Sequence, residues 1–253
     1  MPSPADAFDT FAALHIKGDP LVLFNCWDAG SAVAIAKAGA KALATGSWSV
    51  AEAHGHRDGE ELPFELVVAN AARIVRAVEL PVSIDLEGGY GAAPAAVAAS
   101  ARAIAGAGAI GCNFEDRVVK GEGLHGIADQ AARIAAMREA VGRAFFINAR
   151  TDIFLAATPE THDDAMLDAA IARAKAYADA GASGFFAPGL RDEALIARLC
   201  DAVALPVNIM MAPGVPAHAR LAALGVARIS HGPGPYRQAM AAVEAAARAI
   251  YGD

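Results

Sequence analysis

Short apolar runs alternate with alanine-rich helical stretches along the whole 253-residue chain, and that alternation leaves few folds open. Eight runs have the character of buried strands: Leu21–Phe24, Ala42–Thr45, Pro81–Asp85, Ile110–Phe114, Ala144–Asn148, Gly184–Phe186, Pro206–Ile209 and Ala227–Ile229. Helical stretches lie between them, including Ser31–Lys37 and those starting near Pro63, Pro94, Ile127 and His162. Several end on a glycine, as in Ala38-Gly39-Ala40, Ala107-Gly108-Ala109, Ala180-Gly181-Ala182 and Leu224-Gly225-Val226. A glycine there takes the left-handed C-cap conformation that turns the chain into the next strand. Nearly continuous apolar strands separated by helices indicate a parallel sheet covered by helices. Eight strand-helix units close a (β/α)8 barrel, and a doubly wound open sheet is the alternative. No linker or low-complexity break interrupts the pattern, so residues 1–253 read as one barrel domain.

Composition removes several classes of function. Hydrophobic residues make up 55% of the chain, ample for a core wrapped in alanine-rich helices. Net charge is -7 with no basic tract, which argues against nucleic acid or an anionic membrane as partner. A small anionic substrate stays compatible, because the local field governs its binding. Cys26, Cys112 and Cys200 lie far apart without metal-site spacing, as in a reducing, cytoplasmic compartment. The opening Met1-Pro2-Ser3-Pro4 has no basic region followed by a long apolar stretch, so no signal peptide is visible. Pro, Ser, Arg and Gly break the alanine-rich stretch Ala92–Ala109, which is amphipathic and not a membrane span. No GxGxxG follows the first strand and no GxxxxGK[ST] is present, so nothing supports a dinucleotide or P-loop site.

Barrel chemistry sits at the C-terminal ends of the strands. Those positions carry Asn25, Trp27 and Asp28; Thr45, Gly46, Ser47 and Trp48; Asp85 and Glu87; Glu115, Asp116 and Arg117; Asn148, Arg150 and Asp152; Asn208 and Met210; and His231. Asp85 and Glu87, two residues apart at a strand end, point to the same side, and Gly88-Gly89-Tyr90-Gly91 behind them turns sharply. Hard oxygen ligands held this way suit Mg²⁺ or Mn²⁺ better than zinc, although carboxylates beside glycines also cap turns. Five acidic groups on three strand ends, with Arg150 on the fifth, have the make-up of a metal and an anionic substrate sharing one pocket.

Other residues admit two readings each. His231 either donates a proton at the rim or caps the final helix. His125, in a glycine-rich loop, either closes over the site as part of a lid or is solvated. Trp27 and Trp48 wall the pocket or fill the core. Arg117 contacts a second substrate carboxylate, or pairs with Asp58 or Glu115. His54 and His56 read as surface residues, Cys26 and Cys112 as small core residues, and Cys200 as a structural helix residue.

Six motifs in order make the chain similar to a known group: Phe24-Asn25-Cys26-Trp27-Asp28-Ala29, Thr45-Gly46-Ser47-Trp48-Ser49, Arg57-Asp58-Gly59, Asp85-Leu86-Glu87-Gly88-Gly89-Tyr90-Gly91, Asn113-Phe114-Glu115-Asp116-Arg117 and Asn148-Ala149-Arg150-Thr151-Asp152. Together they resemble the phosphoenolpyruvate mutase/isocitrate lyase superfamily. The C-terminal third matches only in its strand-helix rhythm. The resemblance implies an α/β barrel whose last helix is swapped between the subunits of a homodimer or homotetramer. It also implies a Mg²⁺ site with Asp85 as direct ligand and with Asp58, Glu87 and Glu115 holding metal-bound waters. Substrate would be held by Trp27, Thr45, Gly46, Ser47, Trp48, Asp85, Arg150 and Asn208, and Asp58, Lys120, His125 and His231 form the expected catalytic set.

The implied reaction is C–C cleavage, by a lyase or decarboxylase, of a small α-keto or α-hydroxy dicarboxylate of oxaloacetate size, through a metal-stabilised enolate. P–C chemistry on a phosphonopyruvate-like substrate is the alternative, and a keto-acid-binding barrel with little turnover is a third reading. One segment departs from the pattern. The lyase branch carries Lys-Lys/Arg-Cys-Gly-His in its gating loop, and here the loop reads Lys120-Gly121-Glu122-Gly123-Leu124-His125. His125 keeps its spacing from Glu115, Gly123 stands where the cysteine acid/base would be, and Lys120 lies one residue closer to Glu115. The Lys-Thr-Asn-Ser stretch of the mutase branch is absent as well.

Overall fold

A computed structural model of the chain describes residues 4–252. All eight expected runs form strands: β1 (Leu21–Leu23), β2 (Leu43–Ala44), β3 (Val82–Asp85), β4 (Gly111–Glu115), β5 (Phe146–Arg150), β6 (Gly184–Phe186), β7 (Val207–Met210) and β8 (Arg228–Ser230). They pair in parallel in the order β1-β8-β7-β6-β5-β4-β3-β2. The ring closes just beyond β1 and β2, where Cys26 bridges Thr45 and the Cys26 N–H donates to the Ala44 carbonyl at 3.0 Å. The fold is therefore a (β/α)8 barrel, and the open-sheet alternative is excluded.

Ten helices accompany the strands among the described residues: α1 (Pro4–Ala13), α2 (Ala29–Lys37), α3 (Ser47–Ala53), α4 (Phe64–Ala77), α5 (Pro94–Gly106), α6 (Ile127–Val141), α7 (Asp164–Asp179), α8 (Glu193–Ala202), α9 (His218–Ala223) and α10 (Gly234–Tyr251). Their starts follow local chemistry. The Asp28 carboxylate accepts the Ser31 N–H at 2.7 Å and the Asp28 N–H bonds back to the Ser31 hydroxyl, a capping box that starts α2 two residues before Ser31. Asp163 and Asp192 cap α7 and α8 by accepting the Met166 and Leu195 amides on their carboxylates. No helix among the described residues is long and apolar enough to cross a membrane.

Period-two alternation divides the barrel interior into layers. The floor is apolar: Phe11 from α1 packs with Leu21, Leu23, Ala44, Ile110 and Phe146. The next layer up is polar. Asn148 donates to Asn113 Oδ1 at 2.9 Å, and the buried Arg228 donates to the same oxygen at 3.2 Å. Gly184 makes room for this layer, since a Cβ there would lie 2.8 Å from Asn148 Oδ1. Above it, at the strand ends, stand Asp85, Glu115 and Arg150. Outside the strands, a second apolar shell including Ile74, Ile104, Met137, Tyr177 and Phe185 joins sheet to helices.

The last helix behaves differently from the others. Only Pro235 of α10 is buried, while Val243 is 61% and Ile250 79% exposed. The outer face of β1 is also uncovered, with Val22 and Phe24 both exposed.

Candidate active site

The loop after β2 and the end of β3 build the centre of the site together. Thr45, buried, accepts the Asp85 N–H on its hydroxyl at 2.8 Å. Gly46 opens α3, and the next amide, that of Ser47, donates to Asp85 Oδ2 at 3.1 Å. The second carboxylate oxygen, Oδ1, is buried and has no hydrogen-bond partner. Asp85 faces a cavity of 210 Å³ at the barrel mouth, which also takes in Asn113, Asp58, Arg150, Trp48 and Phe186.

Arg150 reaches this cavity from β5, held from behind by two carboxylates. Its Nη1 lies 2.8 Å from Glu115 Oε2, and its Nε and Nη2 donate to Asp152 at 2.6 and 2.9 Å. Burial works against the guanidinium charge, but Glu115 and Asp152 outweigh it and hold the pKa of Arg150 above its ordinary value. A guanidinium has five N–H donors and these contacts use three, so the others are free for a ligand.

Of the three further acids expected around a metal, Asp58 lines the cavity with Asp85, and Glu87 and Glu115 do not. Glu87 takes positive φ (50°) at the turn, and its Oε2 accepts the Gly59 and Glu60 amides at 2.8 and 2.7 Å. Its Oε1 accepts the Tyr90 hydroxyl at 3.1 Å. Glu87 thus fixes the Asp58-Gly59-Glu60 loop against β3. Burial and then the charge on Asp58 raise its carboxyl to about 7. Burial likewise lifts Glu115 above its ordinary range despite Arg150. Asp58 stands at the solvent-reached mouth, where the surrounding protein and then Asp85 raise its pKa.

Among the described residues, no three His, Cys, Asp or Glu side chains converge closely enough to cage a metal unaided. The donor set fits Mg²⁺ in the way that ion prefers, through one or two carboxylates with waters completing the octahedron. Asp85 Oδ1 is the atom free to bind it.

The remaining expected residues divide. Gly46, Ser47 and Trp48 line the cavity, whereas Thr45 is buried behind it and reaches the site only through its bond to the Asp85 amide. Asn208 is buried one layer below, accepting the Ser230 hydroxyl at 3.0 Å, and does not line the cavity. Trp27 packs edge-on against Tyr236 and partly into the core. The His231 backbone N–H bonds Asn25 Oδ1 at 2.9 Å, but its ring packs against Phe24 and His218 and not in the cavity. Lys120 and His125 line a separate recess. Arg117 forms no ion pair with Asp58 or Glu115 and borders the same recess. Cys26, Cys112 and Cys200 are all buried and free.

The loop carrying Lys120 is a tight hairpin: Arg117 bridges Leu124, the Val118 N–H donates to the Gly123 carbonyl at 3.0 Å, and the His125 N–H to Asp116 at 2.8 Å. Asp116 anchors its base by accepting the Asp152 amide, the Tyr177 hydroxyl and Arg173. Several contributors are not among those expected from sequence, Leu155 and Phe186 of the cavity wall included. Asn113 shares the inward parity of Glu115 on β4, a signal that was available; Tyr236, lying edge-on to both Trp27 and Trp48 from the first turn of α10, has none.

Comparison with known proteins agrees with this geometry. Residues 11–251 match the family model described as phosphoenolpyruvate phosphomutase. A crystal structure from Burkholderia cenocepacia, described provisionally as a phosphonomutase, superposes with a TM-score of 0.95 at 53% identity, covering 97% of this chain and 99% of that one. The uncharacterized protein Rv1998c of Mycobacterium tuberculosis is 36% identical over 95% of this chain and 88% of its own length. The 2-methylisocitrate lyase of Escherichia coli is 30% identical over 81% of this chain and 69% of its own.

Proposed function

The chain belongs to the phosphoenolpyruvate mutase/isocitrate lyase superfamily, and from that membership we propose that it is a Mg²⁺-dependent enzyme cleaving a C–C bond in a small α-keto or α-hydroxy dicarboxylate of oxaloacetate size. One observation carries the reading: Asp85, whose Oδ1 is buried without a partner, and a rigidly held Arg150 line the same 210 Å³ cavity. A metal at one end and a guanidinium at the other match the two ends of a keto acid. When bound, Mg²⁺ would supply Lewis-acid stabilisation of negative charge developing on the substrate oxygen.

The chain's own residues do the positioning. The Ser47 amide and Thr45 hydroxyl fix Asp85, so its free oxygen needs no reorganisation. The unused donors of Arg150 hold a substrate carboxylate, and Glu115 and Asp152 prevent the guanidinium from swinging away. Trp48, Phe186 and Leu155 give the cavity apolar walls that restrict water around the reacting carbon.

A panel of keto and hydroxy acids with Mg²⁺ tests the reading. Pyruvate released from oxaloacetate, without phosphate released from phosphonopyruvate, is the expected pattern. The reverse pattern assigns P–C chemistry, and binding of oxalate with Mg²⁺ but no turnover across the panel reduces the protein to a keto-acid-binding barrel. We also propose that the protein is a homodimer or homotetramer in which α10 packs on another copy. Its exposed apolar side chains and the uncovered outer face of β1 support that arrangement.

A further inference from the structure

A second cavity, of 320 Å³, lies between the turn Gly88–Ala92 and the hairpin Arg117–His125, and shares no lining residue with the cavity of Asp85. Arg117, Lys120, His125 and Arg133 line it against one carboxylate, Glu60. One oxygen of Glu60 is already engaged by the Tyr90 amide at 2.7 Å.

Arg133 is the buried member, only 2% exposed. Its guanidinium donates to Gln130 Oε1 and to the carbonyls of Gly88 and Gly91, and its Nε is buried with no partner. Phe114 covers one face, 4.8 Å from the guanidinium carbon. No carboxylate lies within ion-pair distance of it among the described residues. A buried guanidinium answered by carbonyls alone is costly, and burial lowers its pKa accordingly. Arg117 and Lys120 likewise form no ion pair among the described residues. Burial and then Arg133 lower the pKa of His125, which lines the cavity beside these cations. Among the residues lining the recess, three permanent cations face one carboxylate, in a chain whose net charge is -7.

We propose that this recess is a binding site for a small dianion, a phosphate or a dicarboxylate, held by Arg117 and Lys120 from the hairpin and by Arg133 from below. A bound dianion joins the hairpin to the turn that carries Tyr90, whose hydroxyl donates to Glu87 behind the main site. The site therefore links occupancy of the recess to the order of the loops around the main cavity, and it stands whether or not the proposed reaction does.

Calorimetric titration of the full chain without added metal, using inorganic phosphate and malonate as separate probes, tests this. The expected result is saturable binding of at least one probe that weakens at least about tenfold in Arg117→Gln and stays within about threefold in Arg117→Lys, since a rim charge and not its shape is being removed. Lys120→Gln, on the exposed hairpin, should weaken the same probe and serves if Arg117→Gln folds poorly by circular dichroism. Binding of phosphate alone identifies a phosphoryl-bearing ligand, and of malonate alone a dicarboxylate. Absence of saturable binding by either probe overturns the proposal. So does wild-type affinity in both glutamine variants, because the anion then sits elsewhere, the main cavity included.

Discussion

The Ser47 backbone N–H donates to Asp85 Oδ2 at 3.1 Å and leaves Asp85 Oδ1 buried without a partner. A buried carboxylate oxygen without a donor is costly, and a divalent cation at that atom would remove the cost. Asp85→Asn keeps the acceptor for Ser47 and removes the charge. The variant should fold with the wild-type circular dichroism spectrum, lose Mg²⁺ binding by calorimetry, and lose metal-dependent turnover by roughly 10²-fold or more, as expected when several kcal/mol of charge stabilisation are withdrawn. Mg²⁺ affinity unchanged in Asp85→Asn would remove the metal from this position.

Most of this site could be read in the sequence, because strand parity and strand ends are local properties. Asp85 and Arg150 are the last residues of β3 and β5 and sit where an inward-facing strand end must put them, and Ser47 opens the helix that follows β2. What escaped the sequence depends on three-dimensional packing. Glu87 has the right spacing to join Asp85 in the cavity, yet positive φ at the turn and three hydrogen bonds commit it to the Asp58–Glu60 loop. The ring of His231 goes to Phe24 and His218 because its backbone is tied to Asn25, a contact 206 residues away in sequence. Lys120 and His125 follow the course of the hairpin, which no periodicity encodes.

The hairpin rests on the glycine turn through Val119. A Cβ added to Gly88 would lie 2.5 Å from Val119 Cγ2 and 3.1 Å from Glu60 Oε1. Val119 is β-branched and short, so it cannot swing clear without moving its backbone. Gly88→Ala should therefore cost about 1–3 kcal/mol by overpacking, read as a lower urea midpoint, with faster amide exchange in residues 117–125. Adding Val119→Ala should recover much of the loss, and two costs that simply add would show that the two residues do not touch.

His15 gives the barrel floor an acid sensitivity. Its ring stacks on Phe146 at 4.3 Å, with Nε2 buried and unpartnered. Burial, then the charge of Arg228, lowers its pKa from 6.5 to about 3. Below 6.5 the unfolded chain protonates this residue and the folded chain does not, so its contribution to stability is complete above about pH 6.5 and is lost as pH falls toward 3. His15→Phe keeps the stacking surface and removes the proton site. The stability of wild type relative to His15→Phe should fall on acidification by at most about 1.4 kcal/mol per pH unit, measured by urea unfolding between pH 7 and 4. Parallel pH profiles for the two proteins would show that His15 does not titrate differently on folding.

The exposed face of α10 makes the assembly testable apart from the chemistry. Val243 and Ile250 stand 61% and 79% exposed on a helix that buries only Pro235 against its own barrel. Burying two such side chains against another copy contributes about 3 kcal/mol or more, which corresponds to roughly a hundredfold in dissociation constant. Val243→Asp combined with Ile250→Asp should shift the protein to a monomer in light scattering coupled to gel filtration. Its secondary structure should be retained, because neither residue supports the barrel of its own chain. The wild type should show a melting temperature that rises with protein concentration, and the double variant should not. A wild-type protein that is monomeric at high micromolar concentration would leave α10 without the proposed partner.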